Sequence, residues 1–278
     1  MGAIGFVNDP ETATVKSAKR VLQILELFGE RRCAMSTTDI ALQLNYPISS
    51  TAALLKSLAS LGYLYFDRRS RAYEASLRVG LLGGWMHSHG KGFGRLDRIT
   101  DRLAVDSRQT VVLAIRNDIH IQYVKVLSPD SNVRFYLPVG SRQRLVDTIM
   151  GRSLLALEDD AFVERLVWRA NAERTAEQNS VDLAVIREEI AEIRKSGHIY
   201  SSNAFFSGAA VVAATLDIDA ADRTVVLGIG GPVDEMEAAR DQLIAMVMDA
   251  VREMEMPTDD EDMLVWDDEA SAKILRFA

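Results

Sequence analysis

With 278 residues, 48% of them hydrophobic, the chain has room for two domains with separate cores. Its 40 acidic and 32 basic side chains give a net charge of −8, which excludes a protein that coats nucleic acid over its whole surface. The single cysteine, Cys33, excludes an intramolecular disulfide framework and a multi-cysteine zinc site. No apolar run reaches the ~20 residues of a bilayer span and the first residues lack a signal-peptide pattern, so the expectation is a cytoplasmic protein with no membrane partner.

Charge is unevenly spread. Residues 1–90 hold 10 Lys and Arg against 7 Asp and Glu, and the remainder hold 22 against 33. A basic head on an acidic body suits a chain that meets phosphate only at its N-terminal end.

Residues 1–14 lack periodicity. From Ser17, a plausible N-cap, Ala18, Val21, Leu22, Leu25 and Phe28 form a helical stripe with Gly29 as its expected stop. Ser36 or Thr37 caps the next helix, in which Ile40, Ala41 and Leu44 share a face. Asn45-Tyr46-Pro47 breaks the run, and Ile48, Ala52, Leu55, Leu58 and Ala59 resume it at the 3, 4 and 7 spacing. Two helices so joined predict a helix-turn-helix.

The opposite face of that second helix carries Ser49, Ser50, Ala53, Lys56, Ser57 and Ser60. Small polar side chains allow a helix into a major groove ~12 Å wide. Gly62 ends the helix, and aromatic-rich strands at 63–66 and 72–75 flank Asp67-Arg68-Arg69-Ser70-Arg71. Such a hairpin is a wing whose arginines, Arg68, Arg69 and Arg71, contact backbone phosphate or the minor groove.

Residues 76–92 predict a linker helix with an apolar stripe, Leu77, Val79, Leu81, Leu82, Trp85 and Met86, suited to a dimer contact. His87 and His89, two apart, point in different directions on a helix and read as polar surface rather than a metal site. Beyond it come a helix over 96–105, strands over 110–116 and 119–127 joined at Asn117-Asp118, and a strand over 133–139. Helices at 145–157, 159–170 and 180–196 precede strands at 211–218 and 224–229. A long helix over 235–255 follows, in which Met246, Met248, Met254 and Met256 read as core filling. From 257 an acidic tail leads to Trp266 and Ile274-Leu275-Arg276-Phe277, expected to dock on a neighbouring surface. Helices flanking a mostly antiparallel sheet define the α+β class. The expected division is 1–75 winged helix-turn-helix, 76–92 linker helix, 93–256 sensor-like α+β domain and 257–278 acidic tail.

An enzymatic reading finds little material. Cys33 has no histidine near it in sequence and reads as a small buried or boundary residue; His120 and His198 fall in alternating strands. Gly228-Ile229-Gly230-Gly231-Pro232 is not a dinucleotide fingerprint. No cofactor or metal is implied.

The chain resembles the IclR family of bacterial transcriptional regulators over about 15–255. The resemblance rests on Ser17-Ala18-Lys19-Arg20-Val21-Leu22, Asp39-Ile40-Ala41, Pro47-Ile48-Ser49-Ser50-Thr51 and Leu58-Ala59-Ser60-Leu61-Gly62-Tyr63-Leu64. In the second half it rests on Met150-Gly151-Arg152-Ser153-Leu154-Leu155-Ala156, Arg194-Lys195-Ser196-Gly197, Ser207-Gly208 and Gly230-Gly231-Pro232. It implies a winged helix binding a palindromic operator as a dimer or dimer of dimers, and a GAF/PAS-like effector-binding domain for a small organic or aromatic acid. The pocket residues it implies are Thr148, Met150, Gly151, Arg152, Asn203, Val211, Gly228 and Gly230. Ile48 and Ala53 stand where the family commonly has basic residues, which shifts phosphate contact toward the wing, Lys16, Lys19 and Arg20. Met150 is bulkier than usual at its position, Thr215 replaces a usual proline, and Gly228 and Gly230 stand where many relatives have serine. A regulator that binds DNA constitutively around a degenerate pocket is the alternative.

Overall fold

A computed structural model describes residues 15–82, 92–128, 137–175, 179–202, 208–218 and 224–256. They fall in two compact units, the first ending at 82 and the second starting at 92.

The first unit is three helices and a small sheet. Helix α1 (Lys16–Arg31) buries Ile24, Leu27 and Phe28. Its N-cap is Val15 rather than Ser17, and the helix runs through Gly29 to Arg32, whose left-handed backbone (φ 49°) stops it by bonding Phe28 O. Leu22, expected in the buried stripe, is 59% exposed. Strand β1 (Met35–Ser36) leads into α2 (Thr37–Leu44). A reciprocal capping box fixes that helix start: Ser36 Oγ accepts from Asp39 N–H, and the Asp39 carboxylate accepts from Ser36 N–H. Helix α3 (Ile48–Ser60) follows a left-handed Asn45. Its inward residues Thr51, Leu55 and Leu58 are buried, although Ile48 is exposed.

Strands β2 (Leu64–Asp67) and β3 (Ala72–Ala75) form the expected hairpin, and β1 adds to β3 to give the order β1-β3-β2. Leu64 and Tyr73 join Ile24, Phe28, Ile40, Leu55 and Leu58 in one core. Helix α4 (Leu77–Leu81) begins the expected linker. Residues 83–91, with Trp85, Met86, His87 and His89, lie outside the described residues, as do 1–14. Cys33 is exposed, not a buried or boundary residue.

The second unit is a six-stranded antiparallel sheet, order β6-β5-β4-β9-β8-β7, covered on both faces. Its elements are α5 (Phe93–Ser107), β4 (Thr110–Asn117), β5 (His120–Leu127), β6 (Arg142–Arg144), a 3₁₀ turn (Leu145–Asp147), α6 (Ile149–Leu155), α7 (Asp160–Ala172) and α8 (Leu183–Ser196). Then come β7 (Ile199–Ser202), β8 (Ala209–Asp217), β9 (Thr224–Pro232), α9 (Val233–Ala238) and α10 (Arg240–Glu255). The single helix expected over 235–255 is two, because Ala239 ends one and begins the next. The strand expected over 133–139 falls partly outside the described residues; 137–141 form a turn through Gly140 (φ 82°), and pairing resumes at β6. His198 precedes β7 rather than lying in a strand. The tail from 257 also lies outside the described residues.

Alternation along the strands sorts side chains into two cores. Val111, Leu113, Val212, Leu227 and Ile229 pack with α5, α9 and α10, where Met254 is buried and Met256 is exposed. Val112, Ala114, Ile121, Tyr123, Ala213 and Val226 pack with α6, α7 and α8 on the other face.

Candidate functional site

Two surfaces carry chemistry, one in each unit. In the first, Ser49, Ala53, Lys56 and Ser57 of α3 are exposed and Ser50 is half-exposed. Not all of these hydroxyls are uncommitted. Ser50 Oγ donates to Pro47 O at 2.9 Å and Ser57 Oγ donates to Ala53 O at 3.0 Å. Those two present lone pairs outward, which suits a base amino group better than a phosphate, since phosphate oxygens only accept. Ser49 makes no side-chain bond among the described residues and keeps its hydrogen to donate.

Arg68, Arg69 and Arg71 stand exposed at the tip of the β2–β3 hairpin. Asp67 organises that tip: its carboxylate accepts from Arg69 N–H (2.9 Å), Ser70 N–H (3.3 Å) and Ser70 Oγ–H (2.7 Å). The Arg69 N–H bond, the Ser70 hydroxyl and the Ser70 N–H hold the Asp67 carboxyl below its ordinary value of 3.8. Lys19 is exposed on the first turn of α1. Arg20 lies 4.8 Å from the centre of the Tyr46 ring, and the Tyr46 hydroxyl donates to Gln23 Oε1, so the turn between α2 and α3 is tied back to α1. A stacked guanidinium keeps in-plane N–H groups for a phosphate.

The exit of α3 is also fixed. Ser76 Oγ donates to Gly62 O (2.6 Å) and Arg78 Nη1 donates to Leu61 O (2.8 Å) while its guanidinium stacks on Tyr63. Gly62 adopts φ 80°, a conformation that a side chain would strain. The start of α4 therefore grips the end of α3.

In the second unit a cavity of about 100 Å³ opens between the sheet and α6. Its floor exists because β9 carries glycine where the sheet would otherwise raise side chains. Gly228 lies between Val112 of β4 and Ala213 of β8, and Gly230 between Thr110 and Val211. The Met150 thioether fills part of the gap: a methyl added at Gly228 would sit 2.9 Å from its sulfur. Thr148, Ile149 and Met150 form the roof, with Leu137, Tyr123 and Gln143 at one side.

Among the implied pocket residues, Thr148, Met150, Val211, Gly228 and Gly230 line the cavity. Gly151 and Arg152 do not, which corrects that expectation. Gly151 packs against the Leu145 backbone, where any side chain would run into the carbonyl oxygen. Arg152 faces away, pairing with Glu189 and donating to Val146 O. Asn203 lies outside the described residues. Sequence reasoning passed over Tyr123 and Gln143. Tyr123 shares the inward face of its strand with Ile121 and reads as core, and nothing in the polar run Arg142-Gln143-Arg144 signals a buried amide. Thr148 Oγ accepts the Gly151 N–H that caps α6, and its own hydrogen is not used by that cap. Among the described residues the lining has no Lys, Arg or His, and no cluster of potential metal ligands is found.

The family model for the bacterial transcriptional regulator IclR C-terminal domain matches residues 93–256, more than half of the chain, and the IclR helix-turn-helix model matches 17–68. The HTH-type transcriptional regulator BhcR of Paracoccus denitrificans is 24% identical over 263 residues, covering 91% of each chain. The HTH-type transcriptional repressor AllR of Klebsiella pneumoniae is 26% identical over 232 residues, 81% of this chain and 83% of that one. The fold is similar to that of the Thermotoga maritima IclR structure (TM-score 0.59, 15% identity, 86% of this chain and 96% of that one). It is likewise similar to an IclR homolog from Microbacterium hydrocarbonoxydans complexed with 4-hydroxybenzoate (TM-score 0.57, 18% identity, 89% and 99%).

Proposed function

The chain belongs to the IclR family of bacterial transcriptional regulators, DNA-binding proteins rather than enzymes, and from that premise we propose a ligand-responsive repressor of catabolic genes acting in the cytoplasm. It binds double-stranded operator DNA as a homodimer or dimer of dimers, and a small organic or aromatic acid in the cavity changes that binding. The observation that carries the reading is the division of α3: Leu55 and Leu58 are buried while Ser49, Ala53, Lys56 and Ser57 face solvent. A helix anchored by one side and small-polar on the other is shaped for a major groove.

Roles follow from chemistry. Ser49, Ser50, Ala53 and Ser57 face base edges, while Lys56, Lys19, Arg20, Arg68, Arg69 and Arg71 neutralise phosphates. Exposed Leu22, Leu77, Leu81 and Leu82 supply apolar surface for a second copy. Two copies place two α3 helices in successive major grooves about 34 Å apart on a palindrome. The repressor sign is supported by the relatives named repressors, and an organic acid effector by the neighbour complexed with 4-hydroxybenzoate. Thr148, Met150, Val211, Gly228 and Gly230 form the effector site. An effector with ~1–3 kcal/mol of preference for one dimer arrangement is enough to act as a switch. The test is a mobility-shift titration of the promoter flanking the protein's own gene, at several salt concentrations, with and without candidate acids. Salt-sensitive, sequence-selective retardation is the expected result; its absence from a folded dimer refutes the reading.

A further inference from the structure

One polar group at the cavity wall has no counterpart. Gln143 is 3% exposed, and its Nε2 is buried with no hydrogen-bond partner among the described residues. Its Oε1 accepts from the Tyr123 hydroxyl at 2.6 Å. Burial pushes the Tyr123 phenol far above its ordinary range, so the hydroxyl keeps its proton and donates. That donation turns the amide: oxygen to Tyr123, both N–H hydrogens away from it. The residue is not free to swing out, because β6 is paired to β5 with Gln143 opposite Ile121.

A buried donor without an acceptor destabilises the fold, and folded proteins contain few of them. Phenylalanine and leucine in place of Tyr123 and Gln143 would fill the same space without that cost. A polar pair kept at such a place is the mark of a site that trades stability for recognition.

We propose that Gln143 is the specificity-determining residue of the effector site, donating from Nε2 to a carboxylate or carbonyl oxygen of a compact organic molecule. The apolar body of that molecule lies over Gly228 against Met150, Val112 and Val211, and Tyr123 is the residue that positions the amide. The inference rests on the effector reading of the cavity and deepens it: recognition is by a neutral donor, and the described wall supplies no cation. Carboxylate and carbonyl share the acceptor oxygen, and matched probes separate them.

The experiment uses the full-length protein with benzoate, benzamide, 2-methylpropanoate and 2-methylpropanamide at millimolar concentration, read by thermal shift and calorimetric titration. At least one probe is expected to raise Tm. Response to the acids alone identifies an anionic ligand, whereas response to the amides as well means that the carbonyl suffices. Gln143→Met, close to it in shape and without a hydrogen to donate, is expected to abolish the response. The double variant Tyr123→Phe/Gln143→Leu is expected to lose the response with a ligand-free Tm equal to or above that of the wild type. Tyr123→Phe alone is expected to weaken the responding probe roughly tenfold, by the net worth of one polar contact. On the unmutated protein, the Gln143 side-chain amide resonances, assigned by their loss in the double variant, are expected to shift on probe binding. The proposal is overturned if no probe raises Tm, if Gln143→Met responds as the wild type does, or if those resonances stay put while a probe binds. Operator retardation measured on the same preparation shows whether the DNA-binding reading survives such a failure.

Discussion

Gly151 and Gly228 meet opposite obstacles, and the same substitution tests both. A methyl at Gly151 runs into the Leu145 backbone, which has nowhere to go. Gly151→Ala is therefore expected to lower stability by about 1–3 kcal/mol, measured by chemical denaturation. A methyl at Gly228 meets the Met150 thioether at 2.9 Å, and a flexible methionine side chain can turn aside. Gly228→Ala is expected to leave stability within about 1 kcal/mol while the displaced thioether closes the cavity and weakens effector binding. Adding Met150→Ala is expected to reopen it, and a probe titration compares the two. On the DNA side, Lys56→Ala or Arg69→Ala is expected to weaken binding uniformly across operator sequences and to reduce the log–log salt slope by about 1 each. Ser49→Ala is instead expected to relax sequence preference with little change in that slope.

At the scale of elements, local punctuation explains why the first half was legible in the sequence. The Ser36–Asp39 box, Pro47 and Gly62 are short-range signals, and each acts within a few residues of where it stands. Strands that depend on distant partners were not legible. Met35–Ser36 is two residues long and Arg142–Arg144 is polar throughout, so only pairing to β3 and β5 makes them strands. The cavity followed the same rule: its glycine floor was visible as a motif, whereas Gln143 became visible only once β6 closed beside Tyr123. Ser36→Ala is expected to cost about 1 kcal/mol of stability through loss of the cap, read from a shifted denaturation midpoint. The wing should respond to acid with a definite sign. Asp67 has its carboxyl depressed below 3.8, so its support is complete above that value and is lost as pH falls through the lower, folded one. Amide protection at Arg69 and Ser70, taken relative to the intrinsic exchange rate at each pH, is expected to hold from neutral pH to near 4 and to fall below it. In Asp67→Ala that protection is expected to be missing throughout.

At the scale of the whole molecule, the described residues form three cores in two units, and none of these cores shares a residue with another. The second unit brings its own two, one on each face of the sheet, so a fragment spanning 92–256 is expected to fold alone with a single cooperative transition by circular dichroism. A featureless melt would show that the winged unit is needed to complete it. Among the described residues no helix is long and apolar enough to cross a membrane. The Met150 thioether over Gly228 has a practical consequence at this scale. One unbranched side chain sets how deep the chamber runs, in a unit that carries two cores of its own. A library randomised at that codon alone would scan guest size in a genetically encoded reporter, with operator, promoter and output gene left as they are.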